Sequence, residues 1–209
     1  MPHYHQLYTS GDTAVVFVHV QPKMLLGVAS GNRAHLVYSI ALLARAAKKF
    51  DVPAIMTAMD DDDFSGDILP CLSEVFPGQS AVKCRSMNSW DSQEFRKAVE
   101  ATGRKNILLA GAWTECCIAW PAIEMLGAGY NIYVVEDCCG ATSHVARKAA
   151  LSRIVQAGGT RVSSVGALME LKRDWKGASE NDDVLRDLFR WHSFAYGMDV
   201  GDGSSSCCC

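Results

Sequence analysis

Four short, mostly apolar runs constrain this chain most: residues 14–18, 53–57, 106–110 and 132–135. They are near-continuous rather than alternating, the mark of strands buried on both faces. Between them lie stretches with apolar residues at helical spacing. Leu36, Ile40, Leu43 and Ala47, in a helix predicted over 35–50, are one such stripe. Strands that alternate with helices predict a parallel sheet joined by right-handed crossovers. The expected fold class is therefore α/β, a three-layer α/β/α sandwich with a central, mostly parallel sheet.

Further elements follow from local signals. A short helical stretch is expected from Pro70 toward Phe76, and a short strand from Val82. A helix over 91–101 takes Asp91 as N-cap, with Glu94 three residues on as in a capping box. Residues 115–126 and 143–156 are predicted helical, the latter capped by Thr142 or Ser143. Arg161 and Val162 form a last strand, followed by helices over 165–175 and 184–189. Helical residues 181–196 are expected to cover the body or reach a neighbouring subunit. The 209 residues are expected to form a single domain over 1–198, with a flexible C-terminal tail at 199–209.

Composition excludes several function classes. Twenty basic against 23 acidic residues argue against a binder that lives on phosphate contacts, so no nucleic-acid partner is expected. No apolar run approaches the roughly 20 residues that cross a bilayer, and no membrane partner is expected. The opening residues lack the pattern of a secretory signal. Of nine cysteines, three end the chain and two sets are adjacent pairs, Cys116–Cys117 and Cys138–Cys139. Adjacent cysteines cannot staple distant loops, so a reducing, cytoplasmic setting is expected. Cys207–Cys209 miss the prenylation pattern, because Ser206 holds the fourth place from the end.

In a parallel sheet, reactive groups belong in loops leaving the carboxyl ends of strands. Three segments qualify: His19 and Gln21 after the first strand, Lys83 at the third, and 111–117 after the fourth. Cys117 stands at an expected helix start, where unpaired N–H groups favour thiolate and offer an oxyanion site. Its other reading is a small buried hydrophobe. Lys83 would stabilise a nearby thiolate, or is a solvated surface lysine. His19 is either a satisfied core group or a base near neutral pH, and a Cys–His pair is a standard nucleophilic arrangement. Gln21 and Asn88 are candidates for binding substrate, Gln21 alternatively for fixing its loop. Trp90, Trp113 and Trp120 fit a pocket, a subunit seam or ordinary packing. Asp137 is expected to end the fifth strand and cap local backbone. Cys138–Cys139 form no Cys-x-x-Cys redox motif.

These residues carry a resemblance. AVVFVHVQ at the first strand, Lys83 before MNSWD, NILLAGAWTECCIAWPA and GYNIYVVEDCCGATS resemble the isochorismatase-like cysteine hydrolase superfamily, in its YcaC-like branch, over most of residues 12–175. The resemblance implies a triad of aspartate, lysine and cysteine. Cys117 falls on the nucleophile, Cys116 on the variable position before it, and Lys83 on the lysine. His19 falls on the aspartate, a departure at the general base. The resemblance also implies a cis bond between Ala112 and Trp113, and an oxyanion hole from the amides of Trp113 and Cys117. Metal-binding relatives use an aspartate and two histidines near the second strand's loop. Here that loop, MDDDDFSGDILP, has no histidine, so no metal and no other cofactor is expected.

Two outcomes follow from His19. One is a cysteine hydrolase of small amides or imides, cutting non-peptide carbon–nitrogen bonds through an acyl-enzyme. The other is a degenerate member, serving as an oligomeric scaffold or small-molecule binding protein. A flavodoxin-like carrier shares the layered sheet, but HVQPKMLLG lacks the hydroxyl-rich phosphate cradle it needs. The expected partners are a small-molecule substrate or ligand and other copies of the chain. The resemblance implies a homo-oligomer, an octamer being one size it allows, since relatives similar to YcaC form octamers.

Overall fold

The computed structural model describes residues 7–60 and 66–174. Six parallel strands form one sheet: β1 (Thr13–Val18), β2 (Ala54–Met59), β3 (Val82–Cys84), β4 (Asn106–Ala112), β5 (Asn131–Gly140) and β6 (Thr160–Val162). Their spatial order is β3-β2-β1-β4-β5-β6. The chain thus starts in the middle, runs to one edge, then returns to the other side of β1. Strand order reverses between β1 and β4, and at such a switch point the carboxyl ends of two strands open a crevice.

The helices are α1 (Pro22–Leu26), α2 (Arg33–Lys49), α3 (Pro70–Ser73), α4 (Gln93–Ala101), α5 (Ala119–Gly127), α6 (His144–Gln156) and α7 (Ser164–Lys172). α2 packs with α3 and α7, and α5 packs with α6. With right-handed crossovers, reversal of the strand order places these two groups on opposite faces. The α/β sandwich read from the apolar runs is therefore the observed fold, and its sheet is entirely parallel. Every residue of β1 is buried, as a central strand covered on both faces requires.

Several boundaries differ from expectation. Ser92, not Asp91, caps α4: its Oγ accepts the Phe95 N–H at 3.2 Å. Asp91 instead closes a 3₁₀ turn over Ser89–Asp91 and accepts the Ser86 hydroxyl at 2.6 Å. β5 runs past Asp137 to Gly140. Asp137 still caps backbone, but at a distance in sequence, accepting the Ser164 N–H at 2.7 Å at the start of α7. Ser143 caps α6. Residues 184–189, 181–196 and 199–209, and the histidine-free stretch 61–63, lie outside the described residues. Among the described residues no helix is long and apolar enough to cross a membrane.

Candidate active site

The helix expected to start near Cys117 begins differently. After β4 the chain makes one π turn over Thr114–Ile118, closed by Ile118 N–H to the Trp113 carbonyl at 3.2 Å, and α5 starts only at Ala119. Such wide turns concentrate at functional sites. Two backbone features lead into it. Gly111 has φ +135°, and a Cβ there would lie 2.0 Å from the Val18 carbonyl oxygen. Only glycine lets β1 and β4 approach so closely. The Ala112–Trp113 peptide is cis, as the resemblance implied.

The Trp113 indole leaves the crevice and docks on α1. Its Nε1 donates to the Met24 carbonyl at 2.8 Å, and its ring lies where a Cβ on Gly27 would be. That anchor fixes the backbone on which the Trp113 amide is mounted. The backbone amides of Trp113 and Cys117 favour the ionised form of the Cys117 sulfur, though Cys116 and burial outweigh them. They are the two amides expected to bind an oxyanion.

They do not act on an isolated thiol. Cys116 Sγ and Cys117 Sγ lie 3.5 Å apart, Cys117 buried and Cys116 half-buried. The hydrogen bond from Cys117 pulls Cys116 down to about 7, against burial and the Glu115 carboxylate. The same hydrogen bond, with burial and the charge on Cys116, pushes Cys117 well above the ordinary thiol range. The pair thus loses its first proton easily and its second with difficulty. Expectation placed the thiolate on Cys117 alone, but sequence reasoning weighed the helix start and missed the neighbouring sulfur.

His19 lies directly past β1 with φ 49° and is 1% exposed. Burial pushes its pKa down to about 4, so at neutral pH it carries no charge. The Thr57 hydroxyl accepts the His19 backbone N–H at 3.3 Å and meets ring Nδ1 at 3.2 Å. The Thr57 backbone also hydrogen-bonds the ring and partly offsets the effect of burial, so Thr57 holds the imidazole from its Nδ1 side. Among the described residues, Nε2 has no hydrogen-bond partner. The Cys–His hydrogen bond expected of a nucleophilic pair is therefore not made, and His19 presents a buried ring nitrogen without a partner among the described residues.

Lys83 sits exposed on β3, in register with Ala58 of β2, with β2 and β1 between its strand and β4. Gln21 is tied at both ends: Nε2 donates to the Gly66 carbonyl at 2.5 Å and Oε1 accepts the Met59 N–H at 2.9 Å. It fixes the loop after β1 to the end of β2. Asn88 is engaged likewise, donating to Asp91 and Glu124 and accepting the Trp90 N–H. Both amides hold backbone and loops in place, which favours positioning over substrate contact. Trp90 packs edge-on against Phe95 and Tyr130, and Trp120 is partly exposed. Among the described residues, no group of three His, Cys, Asp or Glu side chains is arranged to hold a metal.

The isochorismatase domain matches residues 13–165, from β1 through the start of α7. The chain belongs to the isochorismatase family. It is 33% identical over 182 residues to the probable hydrolase YcaC of Escherichia coli, covering 87% of this chain and 86% of that one. The crystal structure of the E. coli YcaC gene product superposes with a TM-score of 0.84 at 31% identity, covering 92% of this chain and 94% of that one. YcaC from Pseudomonas aeruginosa, solved with hexane-2,5-diol and covalent acrylamide, gives 0.83 at 30% identity over 93% and 98%. Within the isochorismatase family this chain is thus YcaC-like, in line with the resemblance its motifs carry.

Proposed function

We propose that this protein is a cysteine-dependent hydrolase that cleaves a non-peptide carbon–nitrogen bond of a small amide or imide. The observation that carries this reading is the Cys116–Cys117 sulfur pair, 3.5 Å apart in the π turn that leaves β4 at the β1/β4 switch point. In the singly ionised pair, the remaining proton moves between two sulfurs 3.5 Å apart. With that proton on Cys116, Cys117 Sγ attacks the substrate carbonyl carbon. The carbonyl oxygen becomes an oxyanion held by the two amides. Collapse expels the amine, which takes the proton from the Cys116 thiol, and leaves a thioester on Cys117. Water then attacks the thioester, giving a proton back to Cys116, and the acid leaves as Cys117 returns to thiolate. His19 Nε2, the ring nitrogen that Thr57 leaves without a partner, hydrogen-bonds the bound substrate. Lys83, which the resemblance matches to the family lysine, supplies positive charge at the rim.

The relatives support this chemistry without defining the substrate. Acrylamide adds to nucleophiles such as thiolates, and it is covalent in the P. aeruginosa YcaC structure. The E. coli YcaC structure is described as an octameric hydrolase of unknown specificity. We accordingly propose a homo-oligomer, octameric by analogy, working in a reducing, cytoplasmic compartment. The six cysteines among the described residues are all free.

The test is a screen of small amides and imides for ammonia or amine release, with Cys117→Ser beside the wild type. Saturable turnover that Cys117→Ser abolishes is the expected result. The replacement of the family aspartate by neutral His19 favours a second reading, a binding or scaffold member. That reading requires saturable ligand binding with no turnover in the wild type, and restoration of hydrolysis by His19→Asp.

A further inference from the structure

Two pairs of adjacent cysteines stand among the described residues, and the backbone treats them differently. Cys138 and Cys139 lie in β5, where extended backbone sends successive side chains to opposite faces. Both are buried, and Cys139 Sγ turns to the Leu109 carbonyl at 3.7 Å. Cys116 and Cys117 lie in the π turn, which swings both sulfurs to one side and brings them to 3.5 Å. Cys116 meets solvent, while Cys117, at 3% exposed, sits behind it. An accessible sulfur backed by a second one is the arrangement of a peroxide-reactive thiol with its resolving partner.

We propose that Cys116 and Cys117 form an oxidant-sensitive dithiol, which hydrogen peroxide converts to a vicinal disulfide that reversibly blocks the site. The inference that closure blocks catalysis rests on the reading of Cys117 as nucleophile. In the first step the Cys116 thiolate attacks one peroxide oxygen. The O–O bond breaks, hydroxide departs and takes a proton to become water, and Cys116 is left as a sulfenic acid. In the second step Cys117 Sγ attacks the Cys116 sulfur. The S–O bond breaks, and hydroxide leaves with the Cys117 proton as a second water. Two thiols lose two electrons and two protons, and one peroxide becomes two waters.

Two features make the pair suited to this. The sulfur–sulfur hydrogen bond holds Cys116 near 7, so a large thiolate fraction exists at neutral pH. Neighbouring Cα atoms are only about 3.8 Å apart, below the roughly 4.4–6.8 Å usual for disulfides. The closed ring is therefore strained and open to reduction by a dithiol, which makes the block reversible.

The test uses the full chain, a graded dose of hydrogen peroxide, iodoacetamide and chymotryptic mapping. Cleavage after Tyr130 and Tyr133 separates the two cysteine pairs. The expected product is a Cys116–Cys117 peptide lighter by two hydrogens, refractory to iodoacetamide, and labelled at both sulfurs after dithiothreitol. The Cys138–Cys139 peptide stays reduced at the same dose and serves as the internal control. In Cys116→Ser, oxidation of Cys117 slows about tenfold or more, because the accessible thiolate is gone. If that variant does not fold, the wild-type map decides alone. Added oxygen at Cys116 or Cys117 without loss of the two hydrogens overturns the proposal, as does a bond to any other cysteine. Mass, not turnover, is the readout. A protein that closes the disulfide but hydrolyses nothing loses the hydrolase reading and keeps the dithiol; one that hydrolyses amides and never closes it does the reverse.

Discussion

An imidazole buried at the end of a strand can be protonated only at the expense of the fold. Burial lowers the His19 pKa from 6.5 to about 4. The unfolded chain therefore binds a proton near pH 6 that the folded chain refuses, and stability rises with pH across that window. This contribution is complete above about pH 6.5, declines as pH falls toward 4, and is lost below it. A shift of this size corresponds to roughly 3 kcal/mol. Urea unfolding at pH 7 and pH 4.5 is expected to show that loss in the wild type on top of the general acid response. His19→Asn is expected to keep only the general response, because it has nothing to protonate there. A wild type and variant with equal pH slopes would mean that His19 titrates normally. At the same scale, iodoacetamide labelling of the cysteine pair should turn on near pH 7, first at Cys116. In Cys116→Ser the onset at Cys117 moves to lower pH than in the wild type, since the partner's hydrogen bond and charge no longer push it up and only burial remains.

Backbone geometry decides matters at the scale of elements. Val18 pairs with Gly111, and the Val18 carbonyl occupies the space of a Gly111 Cβ at 2.0 Å. Gly111→Ala has no flexible side chain to displace, so the β1–β4 pairing itself must open. The expected cost is about 3 kcal/mol or more by urea unfolding. Gly103→Ala is the control: φ is +65° but no atom lies within 4 Å, so the cost is only about 1 kcal/mol. Gly27→Ala drives the Trp113 indole off its seat, with ring atoms at 2.4 and 2.9 Å from the new Cβ. Because that ring fixes the Trp113 amide, turnover should fall about tenfold or more, with a smaller change in KM. These elements were unevenly legible. The apolar runs of β1, β2 and β4 mark central strands, because both faces are covered. The extension of β5 through Glu136 and Asp137 carried no such mark, since those side chains serve the start of α7 and its neighbouring strand instead. The π turn leaves no trace in residue spacing, so a helix start was read where a wider turn stands.

Across the whole molecule, strand order assembles what sequence can only suspect. His19 and Cys117 are 98 positions apart in a chain whose sheet makes β1 and β4 neighbours. Their residue types and places after strands were readable, because loops at carboxyl ends are where such a fold exposes reactive groups. The Thr57 hydroxyl against His19 Nδ1, and the tethering of Gln21 and Asn88, were not readable, because each depends on side-chain contact across separate segments. The same scale carries the proposal of an oligomer. A cavity of about 590 Å³ opens between α1 and α2, lined by Leu25, Leu26, Val37, Leu42 and Leu69, and Leu26 is 67% exposed. Among the described residues nothing covers the Leu26 side of this cavity, and association of copies would remove it from water. Light scattering at micromolar concentration is expected to give eight times 22.7 kDa. Subunit linkage should also make the melting temperature rise with protein concentration. A mass of one subunit, with a concentration-independent melting temperature, would remove the oligomer proposal while leaving the cysteine chemistry of each chain to its own tests.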